Sequence, residues 1–508
     1  MQKNLHMCDF FCTFAAKMVI RAFDIDKYIR IQSEHIRERI AQFDNKLYLE
    51  MGGKLFDDMH ASRVLPGFMP DSKLRMLTML RDSLEIIIVI SAHDIERNKV
   101  RQDLGITYDE DVLRLREAFI ERGFLVSALV ITHYSGQRSA DDYRRRLERD
   151  GIRVYYHYLI DGYPHNVSLI ASDEGFGSND YVETTRPLVV VTAPGPGSGK
   201  MAVCLSQLYN EHARGHVAGY AKFETFPVWN LPLKHPLNVA YEAATADLQD
   251  VNMIDPFHLE AYGKTAVNYN RDIEIFPVLD TLFTNIYGRN PYKSPTDMGV
   301  NMVGFCISDD EAVCEASKRE IIRRYFHAVC RMAKGAINDN EIQKIQLLEQ
   351  QVGITTEYRK TVKAARNRRD ENGDKPYNHA AALELPDGRI ITAEAGPLLG
   401  SSAALLLNVT KELAGIDHDT KLIPQEMIEP IQKTKMQYLH GKNPRLHTDE
   451  VLVALSVLSR NNENCRLALE TLPQLKGCQA HSTVMLNDED WRIFKKLGID
   501  LTTDPALK

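Results

Sequence analysis

Three runs in the first 200 residues are apolar at almost every position: Leu84–Ser91, Phe124–Thr132 and Leu188–Thr192. None alternates apolar with polar residues, so each is expected to be a strand buried on both faces. Helical stretches lie between them, Val112–Arg122 and Ser139–Asp150. Strands of this kind, joined by helices, build a parallel sheet covered on both sides. Further strands are expected at Lys46–Glu50, Arg153–Ile160, Val167–Ala171 and Gly219–Thr225. Ligands of such sheets bind at the carboxyl ends of the strands.

The last apolar run passes directly into Thr192-Ala-Pro-Gly-Pro-Gly-Ser-Gly-Lys200, and Met201–Arg214 is expected to be a helix. Gly195, Gly197 and Gly199 free backbone N–H groups to turn toward an anion. The helix N-terminus adds the positive end of its dipole, and Lys200 adds a mobile charge. Ser198 stands among the glycines. The pattern G-x-x-x-x-G-K-[ST] is only partly met, because Pro194 replaces a glycine and Met201 the hydroxyl residue that normally holds Mg²⁺. A glycine-rich strand-to-helix turn without a ligand is the other reading.

Other polar groups could serve such a site. Asp173 and Glu174 follow the expected strand Val167–Ala171 and are candidates for holding Mg²⁺, as is Asp255. Lys222 follows the helix, placed in order and spacing much as a lysine is in ATP-dependent carboxylate-activating enzymes such as dethiobiotin synthetase. His258 and Glu260 are candidates for an acid–base pair, provided their segment is extended, since i,i+2 residues share a face only then. Lys293, Ser294 and Thr296 form a second candidate anion loop; a helix-capping turn explains them equally.

The organisation beyond the sheet is read from composition. Residues 1–17 precede the regular pattern that opens at Met18 and are expected to be a disordered extension. Residues 18–305 form the phosphate-binding-like α/β domain, with 223–301 rich in Pro, Asn, Asp, His and Tyr and expected to be loops. Residues 306–372 are expected to be helical, and Asp370–Pro376 to be a linker. Residues 373–508 form a smaller domain, with short strands around Leu385–Arg389 and near His481–Leu486. The fold class is therefore multi-domain α/β: an N-terminal doubly wound, mostly parallel sheet with a P-loop-like turn, a helical insert and a smaller C-terminal α/β domain.

Composition narrows the partners. The net charge of −7 argues against nucleic acid, and no apolar run is long enough to span a bilayer. The eight cysteines include no C-x-x-C pair, which fits reduced thiols in a cytoplasm. H-E-x-x-H and G-x-S-x-G are absent, so zinc-protease and serine-hydrolase chemistry have no motif here.

Gly52–Asp58 with His60–Arg63, Thr184–Lys200, Lys222–Pro227, Asn252–His258 and Lys293–Asn301 together resemble uncharacterised protein family 0371, a bacterial group carrying a domain-of-unknown-function label. The resemblance covers residues 18–508. It implies a bacterial cytoplasmic protein with an α/β N-terminal half, a helical insert and a smaller α/β C-terminal domain. It carries over no activity and no catalytic residue.

The residues themselves favour an enzyme that binds a nucleotide, with Mg²⁺ and ATP as cofactors, or a phosphorylated metabolite, at residues 195–200, for phosphoryl transfer or ATP-driven ligation. A sugar-phosphate or nucleoside-processing enzyme that does not use ATP is the alternative, and a non-catalytic metabolite-binding protein is the third. The expected partner is a phosphorylated small molecule or nucleotide, with a homo-oligomer left open.

Overall fold

The apolar runs become neighbouring strands of one sheet. The computed structural model describes residues 21–506 apart from Lys54, Asp57, Gln102, Asp103, Asn338, Asn372 and Asp374–Pro376, so the expected N-terminal extension lies outside the described residues. The chain divides into two units, residues 1–317 and 318–508.

In the first unit the main strands are β1 (Leu47–Met51), β2 (Leu84–Ser91), β3 (Leu125–Tyr134), β4 (Val154–Tyr158), β5 (Leu188–Thr192) and β6 (Gly219–Phe223). They lie in the order β4-β3-β2-β5-β1-β6, and every pairing is parallel. All residues of β1, β2 and β5 are buried, as their unbroken apolar character requires. The chain leaves β2 toward β3 on one side and leaves β5 toward β6 on the other, so a crevice for a ligand is expected where these two central strands adjoin.

Two expectations fail. Val167–Ala171 is no strand: Val167–Ile170 is a short helix whose N-cap is Asn166. Five apolar residues between turn signals fit a buried helical turn as well as a strand. Residues 223–301 are not mainly loop either. They hold the helices Pro236–Ala244, Pro256–Tyr262 and Asn270–Tyr287 and a small antiparallel pair, Asn252–Ile254 with Val267–Tyr269. Pro236 and Pro256 occupy the first helical position, where the missing N–H costs nothing, and His235 and Asp255 cap the ends.

The second unit has a four-stranded sheet of Ala380–Glu384, Ile390–Glu394, Gln479–Ser482 and Asp500–Thr503. Only the last two are parallel. The helix Ser401–Ala414 packs Leu405, Leu406 and Val409 onto it, against Leu383 and Phe494. The helices Asp339–Gln351 and Lys360–Glu371 group with this unit.

Glu349 lies on the buried face of Asp339–Gln351, and its Oε1 has no hydrogen-bond partner. Burial pushes its carboxyl up to about 7. Below the ordinary carboxyl range the group is neutral in folded and unfolded chains alike. Between 4.5 and about 7 the unfolded chain ionises freely while the buried carboxyl of the folded chain stays protonated, so stability falls through that window and levels off above it. Glu349→Gln is therefore expected to raise stability by about 1–2 kcal/mol at pH 8 and by little at pH 4, which urea unfolding at the two pH values measures.

Candidate functional site

The turn after β5 is walled by its neighbours. Thr192, the last residue of β5, faces Ile88, and β2 runs on to Ser91, which faces Thr132 of β3. The Thr132 hydroxyl donates to the Ser198 carbonyl at 2.6 Å, which fixes the turn against that wall. Gly199 is the N-cap of the helix Lys200–Ala213 with φ +82°. A Cβ there would sit 3.1 Å from Thr132 Cβ, so both conformation and space demand glycine. At Gly195 a Cβ would sit 2.5 Å from the Tyr108 hydroxyl.

The turn's donors are unspent. Among the described residues no backbone carbonyl accepts the amides of Gly195, Gly197, Ser198 or Gly199. No side chain caps the Lys200–Ala213 helix, so the N–H groups of Lys200, Met201 and Ala202 lack intrahelical acceptors too. The Ser198 side chain is buried and its Oγ has no partner. The Lys200 ammonium makes no ion pair or hydrogen bond among the described residues, and its side chain is half-buried. Positive dipole, free amides and an unpaired cation thus coincide at one place.

Beside it opens a cavity of about 430 Å³. Gly199 and Ala202 line it from the turn and helix, Thr132 and His133 from β3, His157 and Tyr158 from β4, and Tyr163 from the following loop. The β3–β4 register shifts between Ile131 and Tyr134, and His133 within that irregularity has φ +52°. A bulge of this kind re-aims a side chain, and here the side chain lines the cavity. Burial and the neighbouring His93 lower the His133 pKa. Burial lowers that of His157 to about 4. Both rings are therefore neutral at pH 7.

Sequence reasoning missed both histidines, because a lone histidine inside an apolar strand reads as core. Only the register of β3 against β4 places both rings on one cavity. The apolar-strand-end rule for parallel sheets was the available signal.

The other candidate residues spread over several places. Asp173 accepts the Tyr209 hydroxyl at 2.8 Å. Tyr209 lies nine residues along the helix from Lys200, roughly 13 Å at 1.5 Å per residue. Glu174 accepts from Ser172. With Val167–Ile170 helical, the strand-end argument for this pair is gone.

Lys222 at the end of β6 is held by both oxygens of Asp272, at 2.6 and 2.8 Å, with Glu224 at 3.4 Å. The two carboxylates outweigh burial and raise its pKa, so it stays a protonated, already paired cation.

Asp255 is fully buried and spends both oxygens inside the protein. Oδ1 accepts the His258 amide, and Oδ2 accepts the Thr296 amide at 3.2 Å and hydroxyl at 2.6 Å. Ser294 caps Pro295–Met298 and lies 3.1 Å from His258 Nδ1. His258 and Glu260 sit in the Pro256–Tyr262 helix, where i,i+2 residues diverge, and Glu260 is exposed while His258 is buried. Their pairing, conditional on an extended segment, is thus overturned. Lys293 is exposed, with its ammonium 5.6 Å from the centre of the Tyr262 ring. Asp255→Ala is expected to cost about 1–2 kcal/mol of stability through the lost cap and the stranded Thr296 donors, with phosphate affinity unchanged; denaturant unfolding and a phosphate titration check both halves.

A second constellation joins His235, Asp310 and Cys314, whose ligand atoms lie within 4.8 Å of one another. His235 Nδ1 accepts the Leu237 amide at 3.2 Å, so the ring proton sits on Nε2, which donates to Asp310 at 3.0 Å.

Among the described residues no helix is long and apolar enough to cross a membrane.

The domain of unknown function DUF1846, N-terminal, matches residues 21–353, and its C-terminal counterpart matches residues 357–508. A UPF0371 protein of Streptococcus thermophilus is 55% identical over 485 residues, covering 96% of this chain and 97% of the relative. A UPF0371 protein of Corynebacterium urealyticum is 55% identical over 484 residues, covering 95% and 97%, and one of Streptococcus sanguinis is 54% identical over 485 residues, covering 96% and 97%. The chain belongs to this family.

Proposed function

We propose that this member of the DUF1846 family is a cytoplasmic enzyme that takes a phosphorylated small metabolite, holds its phosphoryl group on the turn after β5, and does so without a divalent cation. The observation that carries this reading is the set of unspent donors at one helix start: the amides of Gly197 to Ala202, with the Lys200 ammonium beside them. Leaving so many donors without protein acceptors costs free energy unless water or a ligand receives them.

The cavity next to the turn is large enough for the body of a sugar phosphate or similar metabolite. Its lining includes two imidazoles, His133 and His157, groups that can donate or accept hydrogen bonds to a ligand. The same turn speaks against Mg²⁺·ATP. Met201 offers no oxygen where the Ser or Thr of the P-loop pattern stands, and Asp173 and Asp255 are engaged elsewhere. Lys200 favours the nucleotide reading, since it holds the place of the phosphate-binding lysine in that pattern.

Thermal-shift measurements with inorganic phosphate, sugar phosphates, ADP and ATP, each with and without Mg²⁺, test the choice. Stabilisation by small phosphates that does not need Mg²⁺ is expected. Stabilisation confined to nucleotides with Mg²⁺ would replace this reading with the phosphoryl-transfer one. No response to any of these compounds would remove the phosphate site.

A further inference from the structure

Resting on that phosphate reading, we infer that His157 completes the anion site: it takes a proton from solvent as a phosphomonoester enters and gives a hydrogen bond to the bound phosphoryl group.

His157 is 7% exposed, and its Nε2 is buried with no hydrogen-bond partner. Its ring lines the same cavity as Gly199 and Ala202. A buried imidazole nitrogen without a partner carries an unmet polar demand, and the helix start at Gly199 and Ala202 lines the same cavity. A ligand oxygen between them would satisfy both.

The neighbouring His133 has a different role. Ser91 Oγ accepts the His93 amide at 3.2 Å, so its own proton is free for His133 Nδ1 at 3.1 Å. The Thr132 hydroxyl lies 3.3 Å from the same nitrogen, so His133 Nδ1 is held by two hydroxyls whichever nitrogen carries the ring proton. The His157 ring meets backbone groups at Ala202 and Tyr158, and its Nε2 has no such partner.

The charged and titratable groups around the pair come from every side. His93 stacks on His133 at 6.0 Å, with Asp94 beside it on the same short helix. Tyr158, Asp161 and Tyr163 come from β4 and its loop. Asp180 accepts the Tyr156 amide along β4, and Lys200 stands at the helix start. Burial leaves His157 neutral while the cavity is empty. A dianion would reverse that balance, because an opposite charge within a few ångströms favours the charged imidazole. The step is proton transfer alone: one proton leaves buffer and joins a ring nitrogen, and no other bond forms or breaks. The site therefore favours phosphomonoester dianions over singly charged phosphodiesters.

Isothermal titration calorimetry of the full chain tests this with two probes, inorganic phosphate and sulfate, in two buffers of different ionisation enthalpy at pH 7.5. Sulfate is the deciding probe, since it takes up no proton itself near neutral pH. The expected result is buffer-dependent heat equivalent to about one proton gained per sulfate, with affinity rising up to about tenfold per unit as pH falls from 8 to 6. In His157→Gln the buffer dependence and the pH slope should vanish together. The wild-type measurement stands even if that variant folds poorly. Sulfate binding with no proton uptake in the wild type would overturn the inference and leave the phosphate reading standing. Uptake that persists in His157→Gln but is lost in His133→Asn would overturn the assignment to His157. No binding heat from either anion would overturn the phosphate reading and this inference with it.

Discussion

Lys200→Ala is expected to weaken binding of inorganic phosphate about ten- to a hundredfold and to leave the melting temperature of the unliganded protein within about 1 °C of the wild type. The two halves have one cause. The ammonium has no ion pair or hydrogen bond among the described residues, so the folded chain loses little when it goes. A hydrogen bond from a charged donor contributes roughly 1.5–3 kcal/mol, and each 1.4 kcal/mol is a factor of ten in affinity. The loss should shrink with added salt, because the side chain is only half-buried and its charge is partly screened. Calorimetric titration of both proteins at low and high ionic strength measures it. An affinity that does not change would take Lys200 out of the site.

Arg359→Ala is expected to destabilise the C-terminal unit by about 3–5 kcal/mol. The Arg359 side chain is fully buried. Its Nη1 donates to Asp500 Oδ2 at 3.1 Å, and its Nη2 donates to the Ala480 carbonyl at 3.2 Å and to the Asp500 carbonyl. One guanidinium thus pins the two parallel strands Gln479–Ser482 and Asp500–Thr503 together. Alanine removes the three hydrogen bonds and leaves a cavity where the guanidinium was. Arg359→Met fills much of that volume without restoring the donors, so it should recover only the packing part of the loss. Denaturant unfolding followed by far-UV circular dichroism reports the difference. If alanine cost less than 1 kcal/mol, the strands would not depend on this residue.

The sheet was legible because β2, β3 and β5 are buried along most of their length, and burial on both faces writes an unbroken apolar run. Gly199 was legible too, since few other residues accept φ +82° at a helix start. The helix Asn270–Tyr287 was not. Its buried positions Phe276, Leu279, Leu282, Phe283 and Ile286 keep helical spacing, but Pro277 sits among them and reads as a break. Asp255, Ser294 and Thr296 have the residue types of a ligand site, yet they spend their polar atoms on one another and on helix caps. Capping and anion binding draw on the same small polar residues, so composition cannot separate them. His133 and His157 became visible only through the bulge between β3 and β4, a feature of the pairing of two strands rather than of either alone.

The most direct measurement is a crystal structure of the protein soaked with tungstate, a heavy tetrahedral oxyanion whose anomalous signal locates it without ambiguity. The account predicts a peak within hydrogen-bonding distance of the Gly199–Ala202 amides, with the Lys200 ammonium turned toward it and the His157 ring on its far side. Bound tungstate elsewhere with this turn empty, or these amides tied to the protein's own carbonyls, would contradict it.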